Sequence, residues 1–284
     1  MTARGVTGII LAGGDSLRYA GGAEPKALAP VAGAPLVLQV AACMVCGGAA
    51  RILVLTGRNH ALICRGLGVG PGADCTESVR SDLSIRWTDG SGITVPLELR
   101  PSGESAGTGG RLLSIERAEI GSAALLGYTD VLTDAPLPRL LDHCGQGAEL
   151  ALLAVQPQLP WGVLRLGQDD GLLGFDEKPR DTGRWINGGM MAITPALLDR
   201  ISGRDDVLET DVIAQLLADP RGGGRVRVTR HEGYWAAVET RKDMLAANAG
   251  IEAGAAPWKR WTELSLLCAA SSFRPRRAIG GHDA

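Results

Sequence analysis

Lysine is scarce in this 284-residue chain: it supplies only four of the 29 cationic side chains, at positions 26, 178, 242 and 259, and arginine supplies the rest. A lysine kept in such a background marks a place suited to a compact ammonium rather than a planar guanidinium fork. Also missing is any G-x-x-x-x-G-K-[ST] run, which argues against ATPase or GTPase chemistry built on a Walker loop. No apolar run reaches the roughly 18 residues that span a bilayer, and the N-terminus has neither a charged n-region nor a long apolar h-region. The expectation is a cytoplasmic protein that does not engage a membrane. A formal net charge of −2 gives no electrostatic footprint for nucleic acid, so phosphate binding has to come from a local cluster.

The six cysteines, at 43, 46, 64, 75, 144 and 268, are spread over a long chain, which favours reduced thiols over a disulfide framework. Cys43 and Cys46 form a C-x-x-C, but they end an apolar stretch that follows Pro35 and have no histidine or second pair beside them. That pattern reads as a core helix rather than a zinc or redox site.

What is present begins with Gly8-Ile9-Ile10-Leu11-Ala12-Gly13-Gly14, an apolar strand running into two glycines, with Arg18 and Pro25-Lys26 close behind. Glycines lack the Cβ that keeps a ligand off the main chain, so N–H groups between 12 and 16 can face phosphate oxygens, and Arg18 and Lys26 supply cations. A G-x-G-x-x-A match at Gly68, Gly70 and Ala73 is broken by Pro71 and Gly72 and follows no clear strand, so it reads as a loop.

Short apolar strands alternate with helical stretches through the first half: strands at 9–11, 52–55, 95–99, 123–125 and 150–153, with helices at 35–47, 59–66, from about 111, and after Pro136. This rhythm predicts an α/β fold, a Rossmann-like, mostly parallel (mixed) sheet flanked by helices, with ligands beyond the carboxyl ends of its strands. Asp130 falls at such an end, where a carboxylate beside phosphates suits Mg²⁺. Shorter strands at 161–166, 172–175, 189–193 and 225–229 follow, with helices near 195–202, 209–218 and 240–250. A short Leu-rich helix and a frayed tail carrying Arg274, Arg276 and Arg277 are expected at the end.

Taken in order, Leu11-Ala12-Gly13-Gly14 with Arg18 and Pro25-Lys26, Thr108-Gly109-Gly110-Arg111-Leu112, Tyr128 to Asp130, Phe175 to Pro179, Trp185 to Gly189 and the Ala256-to-Trp261 ending resemble the sugar-phosphate nucleotidyltransferases, most closely the glucose-1-phosphate cytidylyltransferases. The resemblance implies the nucleotide-diphospho-sugar transferase fold, with a nucleotide-binding half at 1–150, a sugar-phosphate-binding half at 151–261 and a tail at 262–284. It implies attack of a sugar 1-phosphate on the α-phosphorus of CTP, or of another nucleoside triphosphate, with Mg²⁺ as cofactor and small molecules as partners. A homo-oligomer is also implied, for which Trp258 and Trp261 serve either as contacts or as core.

Carried over by residue, Arg18 and Lys26 would hold the triphosphate, and Leu11, Ala12, Gly13, Gly14, Thr108, Gly109, Gly110 and Arg111 the base and ribose, largely through main-chain groups. Tyr128, Glu177, Lys178, Asn187 and Gly188 would receive the sugar phosphate, with Lys178 on its phosphate; Asp130 and Glu239 would bind the metal. The chain departs from the family pattern in four places. Glu239 stands for a metal-binding Asp, Asp15-Ser16-Leu17 for an apolar residue, Gly and Thr, Glu24 for a Lys, and Pro160 for an Arg. These departures leave room for another acceptor, or for a nucleotide-binding regulatory protein without turnover.

Overall fold

Strand β1, Val6–Ala12, sets the frame, because both its faces are buried: Ile9 and Leu11 pack into one apolar layer and Ile10 and Ala12 into the other. Successive side chains of a strand point to opposite faces, so a run of consecutive apolar residues requires cover on both sides. The computed structural model describes residues 5–21, 24–70, 75–219, 225–268 and 271–272.

The strands of the large sheet, in chain order, are β1, β2 (Ala49–Thr56), β3 (Val79–Trp87), β4 (Gly92–Pro101), β5 (Ala124–Tyr128), β6 (Leu150–Val155), β7 (Ile186–Ile193), β8 (Val226–His231) and β9 (Trp261–Cys268). Across the sheet they run β8-β6-β7-β5-β1-β2-β4-β3-β9, with Ser271–Ser272 as a tenth strand at the edge. β1 pairs in parallel with β2 and β5, β2 with β4, and β6 with β8, whereas β7 and β3 run against their neighbours. The expected mostly parallel mixed sheet, flanked by helices, is thus the architecture found. β1, β2 and β5 end at the same rim, and the cleft opens there.

Helix α1, Leu36–Cys46, is buried along its whole length up to Val45. Each large apolar side chain removed from water there contributes roughly 1.5–3 kcal/mol. Cys43 is buried and Cys46 exposed, as a core helix requires. Trp258 and Trp261 pack edge-on at 5.7 Å beside this helix, and Trp261 Nε1 donates to Gln39 Oε1 at 3.0 Å. With 2 % and 1 % of their surface exposed, both are core residues of the chain itself, which decides between the two uses the sequence left open.

Two elements differ from the sequence reading. The Leu-rich segment after 261 is strand β9, not a helix, and it pairs antiparallel with β3 from Trp261 to Leu267. β3 itself was not anticipated. Its Leu83, Ile85 and Trp87 recur at period two, and once β3 lies beside β4 its outer edge offers unpaired backbone groups that β9 satisfies. The expected helix from 111 is a 3₁₀ turn, Gly110–Ser114, followed by a single turn, Arg117–Ile120. Ala73 and the arginines at 274, 276 and 277 lie outside the described residues.

Glu119 ties that single turn to the sheet. Its carboxylate accepts both Nη groups of Arg100 at 2.8 Å, Nη2 of Arg51 at 2.9 Å and the Glu116 N–H at 2.9 Å. The Arg100 hydrogen bonds, reinforced by the Glu116 N–H and Arg51, hold its carboxyl down at about 2. A carboxyl whose pKa is lower in the folded than in the unfolded chain stabilises above its ordinary value near 4.5, and that stabilisation is lost as pH falls through about 2. Glu119→Gln is expected to cost on the order of 1–3 kcal/mol at pH 7 and to flatten the fall in urea midpoint between pH 5 and 2; an acid limb identical to wild type would remove Glu119 from the stabilising network.

Candidate active site

The cleft at the rim of β1 and β5 has a volume of about 400 Å³ and is lined by Leu11 to Leu17, Tyr19, Pro25 to Ala27, Thr108, Arg111, Tyr128 to Asp130 and Glu239. Its floor is the end of β1. Beyond it Gly13 passes so close to Arg111 that a Cβ would overlap the guanidinium, while Gly14 has nothing within 4 Å of where its Cβ would stand. Gly14 therefore presents bare main chain to the cleft.

Arg111 is 5 % exposed and its guanidinium is spent on the chain itself. Nη2 donates to Gly13 O at 3.0 Å, and Nη1 to Gly103 O at 2.6 Å, Ser102 Oγ at 3.2 Å and Thr56 O at 3.3 Å. Burial lowers its pKa from the ordinary value, partly offset by the Asp15 carboxylate. The neighbouring glycines are occupied as well: the N–H groups of Gly109 and Gly110 both donate to Asp206 O, at 2.9 and 3.0 Å. A Cβ on Gly110 would overlap the Arg204 carbonyl, so the glycines at 109 and 110 let two loops pack closely. Only Thr108 and Arg111 of this motif reach the cleft.

The charged centre is made by backbone pairing. Trp235–Ala237 lies antiparallel to Val131–Thr133, and the Val238 N–H donates to Asp130 O at 2.8 Å, which brings Glu239 to the side of Asp130. Thr240 then caps helix α2, Arg241–Glu252, with Asp243 completing a capping box, so the residue before the cap is fixed. Pro25 begins the 3₁₀ turn Lys26–Leu28, and Lys26 N donates to Ser16 Oγ at 2.7 Å. Lys26 Nζ lies 2.5 Å from Asp130 Oδ2 and 3.6 Å from Glu239 Oε2.

Two carboxylates converging on one cation are an oxygen donor set for a hard divalent ion. The longer Glu239 side chain, in place of Asp, still reaches the point that Asp130 reaches, so the residues fit Mg²⁺.

The other predicted residues divide by position. Arg18 lies in the turn Leu17–Ala20, with its side chain outside the described residues. Tyr128 ends β5 and donates to Glu209; burial and the Glu209 carboxylate raise its pKa from the ordinary value. Gly188 sits on β7 with its carbonyl accepting from Trp235 Nε1 at 2.8 Å, and Asn187 Oδ1 accepts from Gly189 N at 2.9 Å. Glu177 and Lys178 lie outside the cleft lining, on an exposed turn where Lys178 has a φ of 46° and its Nζ is 3.4 Å from Glu177.

Three residues were missed by the sequence reading. Glu209 joins Tyr128 to Thr108 Oγ1, the latter at 3.3 Å. Arg58 approaches Asp15 at 3.8 Å, and Arg241 approaches Glu24 at 3.3 Å. Of the carboxylates that depart from the family pattern, Asp15 and Glu24 thus each have a guanidinium partner, and Glu239 faces the Lys26 ammonium.

Comparison with known proteins agrees with the motifs. Residues 8–76 match the family model of the MobA-like NTP transferase domain. A glucose-1-phosphate cytidylyltransferase of Salmonella typhimurium is 31 % identical over 164 residues, 56 % of this chain and 61 % of that protein. A mannose-1-phosphate guanylyltransferase of Mycobacterium tuberculosis is 26 % identical over 90 % of this chain and 67 % of its own length. The chain spans about three fifths of the length of the cytidylyltransferases it matches. Among solved structures, HddC from Yersinia pseudotuberculosis superposes with a TM-score of 0.60 at 16 % identity, over 87 % of this chain and 99 % of that one, and shares its fold. The expected resemblance to the sugar-phosphate nucleotidyltransferases is borne out. Among the described residues no helix is long and apolar enough to cross a membrane.

Arg111→Ala leaves the Gly13 and Gly103 carbonyls and the Ser102 hydroxyl without the guanidinium donor, while Thr56 O keeps its bonds from Ser102, an expected loss of at least about 2 kcal/mol in chemical denaturation. Gly13→Ala is expected to lower stability in the same direction by pushing the guanidinium aside. A Gly13→Ala protein with an unchanged midpoint would show that the two groups do not meet.

Proposed function

We propose that the chain is a Mg²⁺-dependent nucleotidyltransferase that moves CMP from CTP to a sugar 1-phosphate, glucose 1-phosphate by kinship, giving a CDP-sugar and pyrophosphate. The observation that carries this reading is the Lys26 ammonium, set between Asp130 and Glu239 at the open end of the glycine turn. A phosphate oxygen of the acceptor forms the new bond to the α-phosphorus, and the bond from that phosphorus to the pyrophosphate oxygen breaks. The obstacle is repulsion between two anions, roughly 4 kcal/mol per pair of unit charges 4 Å apart at an effective dielectric near 20. The remedy is position and counter-charge.

Main-chain groups at Leu11 to Gly14 and the Thr108 side of the cleft hold the nucleotide. Arg18 and Lys26 neutralise the triphosphate, Lys26 exchanging its carboxylate partners for phosphate oxygens. Asp130 and Glu239 would hold Mg²⁺, whose charge would offset that of the phosphates. Tyr128, Asn187 and Gly188 lie along the acceptor side, and Lys178 with Glu177 reaches the acceptor phosphate from the exposed turn. A nucleotide half at 1–150 and an acceptor half at 151–261 belong to the same reading, with Tyr128 and Glu239 each serving the side opposite to its own half. Ahead of that turn Val163–Leu166 pairs antiparallel with Leu172–Asp176, and this hairpin with the segment just before it exposes Trp161, Leu164, Leu173 and Phe175, an apolar surface that supports a homo-oligomer.

A second reading is transfer from another nucleotide, GTP first. The Mycobacterium relative is named a guanylyltransferase, and HddC has been crystallised with GMP-PN. Contacts to a base from main-chain groups suit more than one base.

Pyrophosphate release with Mg²⁺ separates these, using CTP, GTP, UTP, dTTP and ATP against glucose 1-phosphate and other phosphorylated acceptors. Release with CTP is expected, falling by at least about 100-fold in Lys26→Ala. Glu239→Asp should keep or raise activity, and unchanged activity in Glu239→Ala would remove that residue from the site. Release with GTP alone favours the second reading. Silence with all five nucleotides, CTP still stabilising the fold, would point to a binding protein without turnover.

A further inference from the structure

Behind the neighbouring strand end lies a cluster that the reaction does not use. His60 and Cys64 stand one turn apart on the helix His60–Gly66, at a spacing that puts both on one face, and Cys75 arrives from the segment leading to β3. All three are buried, at 5 %, 0 % and 3 % exposure. His60 Nε2 is 3.6 Å from Cys64 Sγ and 3.5 Å from Cys75 Sγ, and the sulfurs are 3.4 Å apart.

We propose that His60 Nε2, Cys64 Sγ and Cys75 Sγ bind a thiophilic transition-metal ion, Zn²⁺ being the reference case. With Zn–S near 2.3 Å and Zn–N near 2.05 Å, a tetrahedral ion separates sulfur from nitrogen by about 3.6 Å and sulfur from sulfur by about 3.8 Å. The sulfur–nitrogen separations already have that value, and the sulfurs need to part by only a few tenths of an ångström. Soft thiolates with an imidazole select such an ion over Mg²⁺, which takes oxygen donors. The Glu77 carbonyl, 2.8 Å from His60 Nε2 and 3.7 Å from Cys75 Sγ, adds an oxygen on the same side.

The imidazole has the outer partner that such a ligand needs. Nδ1 lies 2.6 Å from Thr56 Oγ1, and Thr56 Oγ1 donates to Arg100 O at 3.1 Å. Without an ion, Nε2 holds the ring proton and donates it to the Glu77 carbonyl; when an ion takes the Nε2 lone pair the ring proton moves to Nδ1 and is donated to Thr56 Oγ1, whose own proton goes to Arg100 O. Binding displaces the two thiol protons to solvent, and no electron is transferred. Thr56 also accepts Arg111 Nη1 through its carbonyl, so the ion would brace the strand end against which the glycine turn is held.

The test is metal analysis of the whole protein, expressed with zinc in the medium and purified without chelator, followed by replacement of the ion with Co²⁺. About one ion per chain is expected to survive gel filtration, and Co²⁺ should give a thiolate charge-transfer band that carboxylate ligands such as Asp130 and Glu239 do not produce. Cys64→Ser and Cys75→Ser should lose the band, and Cys46→Ser, an exposed cysteine on α1, should keep it. Removing the ion should lower the melting temperature by several degrees. Less than a tenth of an equivalent of metal with no cobalt band in the wild-type protein would overturn the proposal. So would a native chain lighter by two hydrogens and lacking two titratable thiols, because Cys64 and Cys75 would then be a disulfide.

Discussion

Four stretches of chain end at the guanidinium of Arg111. The last residue of β2, the turn after β4 and the turn after β1 each offer it a carbonyl, and the 3₁₀ turn at Gly110–Ser114 carries it. A planar group with five fixed donors can serve acceptors from different directions at once, which an ammonium on a flexible stem cannot do while staying buried. The cost of burying its charge is met by these hydrogen bonds. The arrangement requires glycine at 13, where any side chain would meet the guanidinium, so the first glycine of the turn serves the scaffold and the second is left for a ligand.

That division of labour explains why arginine and lysine are used so differently around the cleft. Arg111, Arg58 and Arg241 face carbonyls or carboxylates of the protein, whereas Lys26 stands where two acidic side chains approach from one side and the open cleft from the other. A structural cation gains from a fork that saturates its partners. A cation that must exchange partners gains from a compact charge on a short list of contacts. The pairing of Asp15 with Arg58, and of Glu24 with Arg241, limits how much negative charge those two departures bring to the phosphates.

The strands that position the cleft were legible as apolar runs because β1, β2 and β5 are buried on both faces, and α2 was legible as a helix near 240–250, though its capping by Thr240 and Asp243 was not. β3 and β9 were harder. β3 alternates Leu83, Ile85 and Trp87 with polar residues on a half-exposed strand, a weaker signal than a continuous run, and β9 looks helical until the partner strand that it pairs with is known. Within the site, Lys26, Asp130 and Glu239 are separated by 104 and 109 positions, and only the motif order linked them. Thr108 to Arg111 showed the opposite difficulty. The motif marks the right place, but whether its N–H groups face a ligand or another loop depends on Asp206, nearly a hundred residues on.

Asp206 belongs to a second constraint from the same stretch of chain. Asp206 holds Gly109 and Gly110, the Leu208 N–H donates to Thr108 Oγ1 at 2.8 Å, and Glu209 bridges Thr108 to Tyr128. One short segment of the second half therefore fixes both the Thr108 loop and Tyr128 at the cleft. Tyr128 and Thr108 cannot move independently while both share the Glu209 carboxylate, so under the proposed function an acceptor that shifts Tyr128 would move the Thr108 wall of the cleft through a single side chain. Under the proposed function, charge repulsion makes the order and closeness of approach of two phosphorylated substrates the central problem for such a cleft, and this carboxylate is a direct physical path by which one side can register the other.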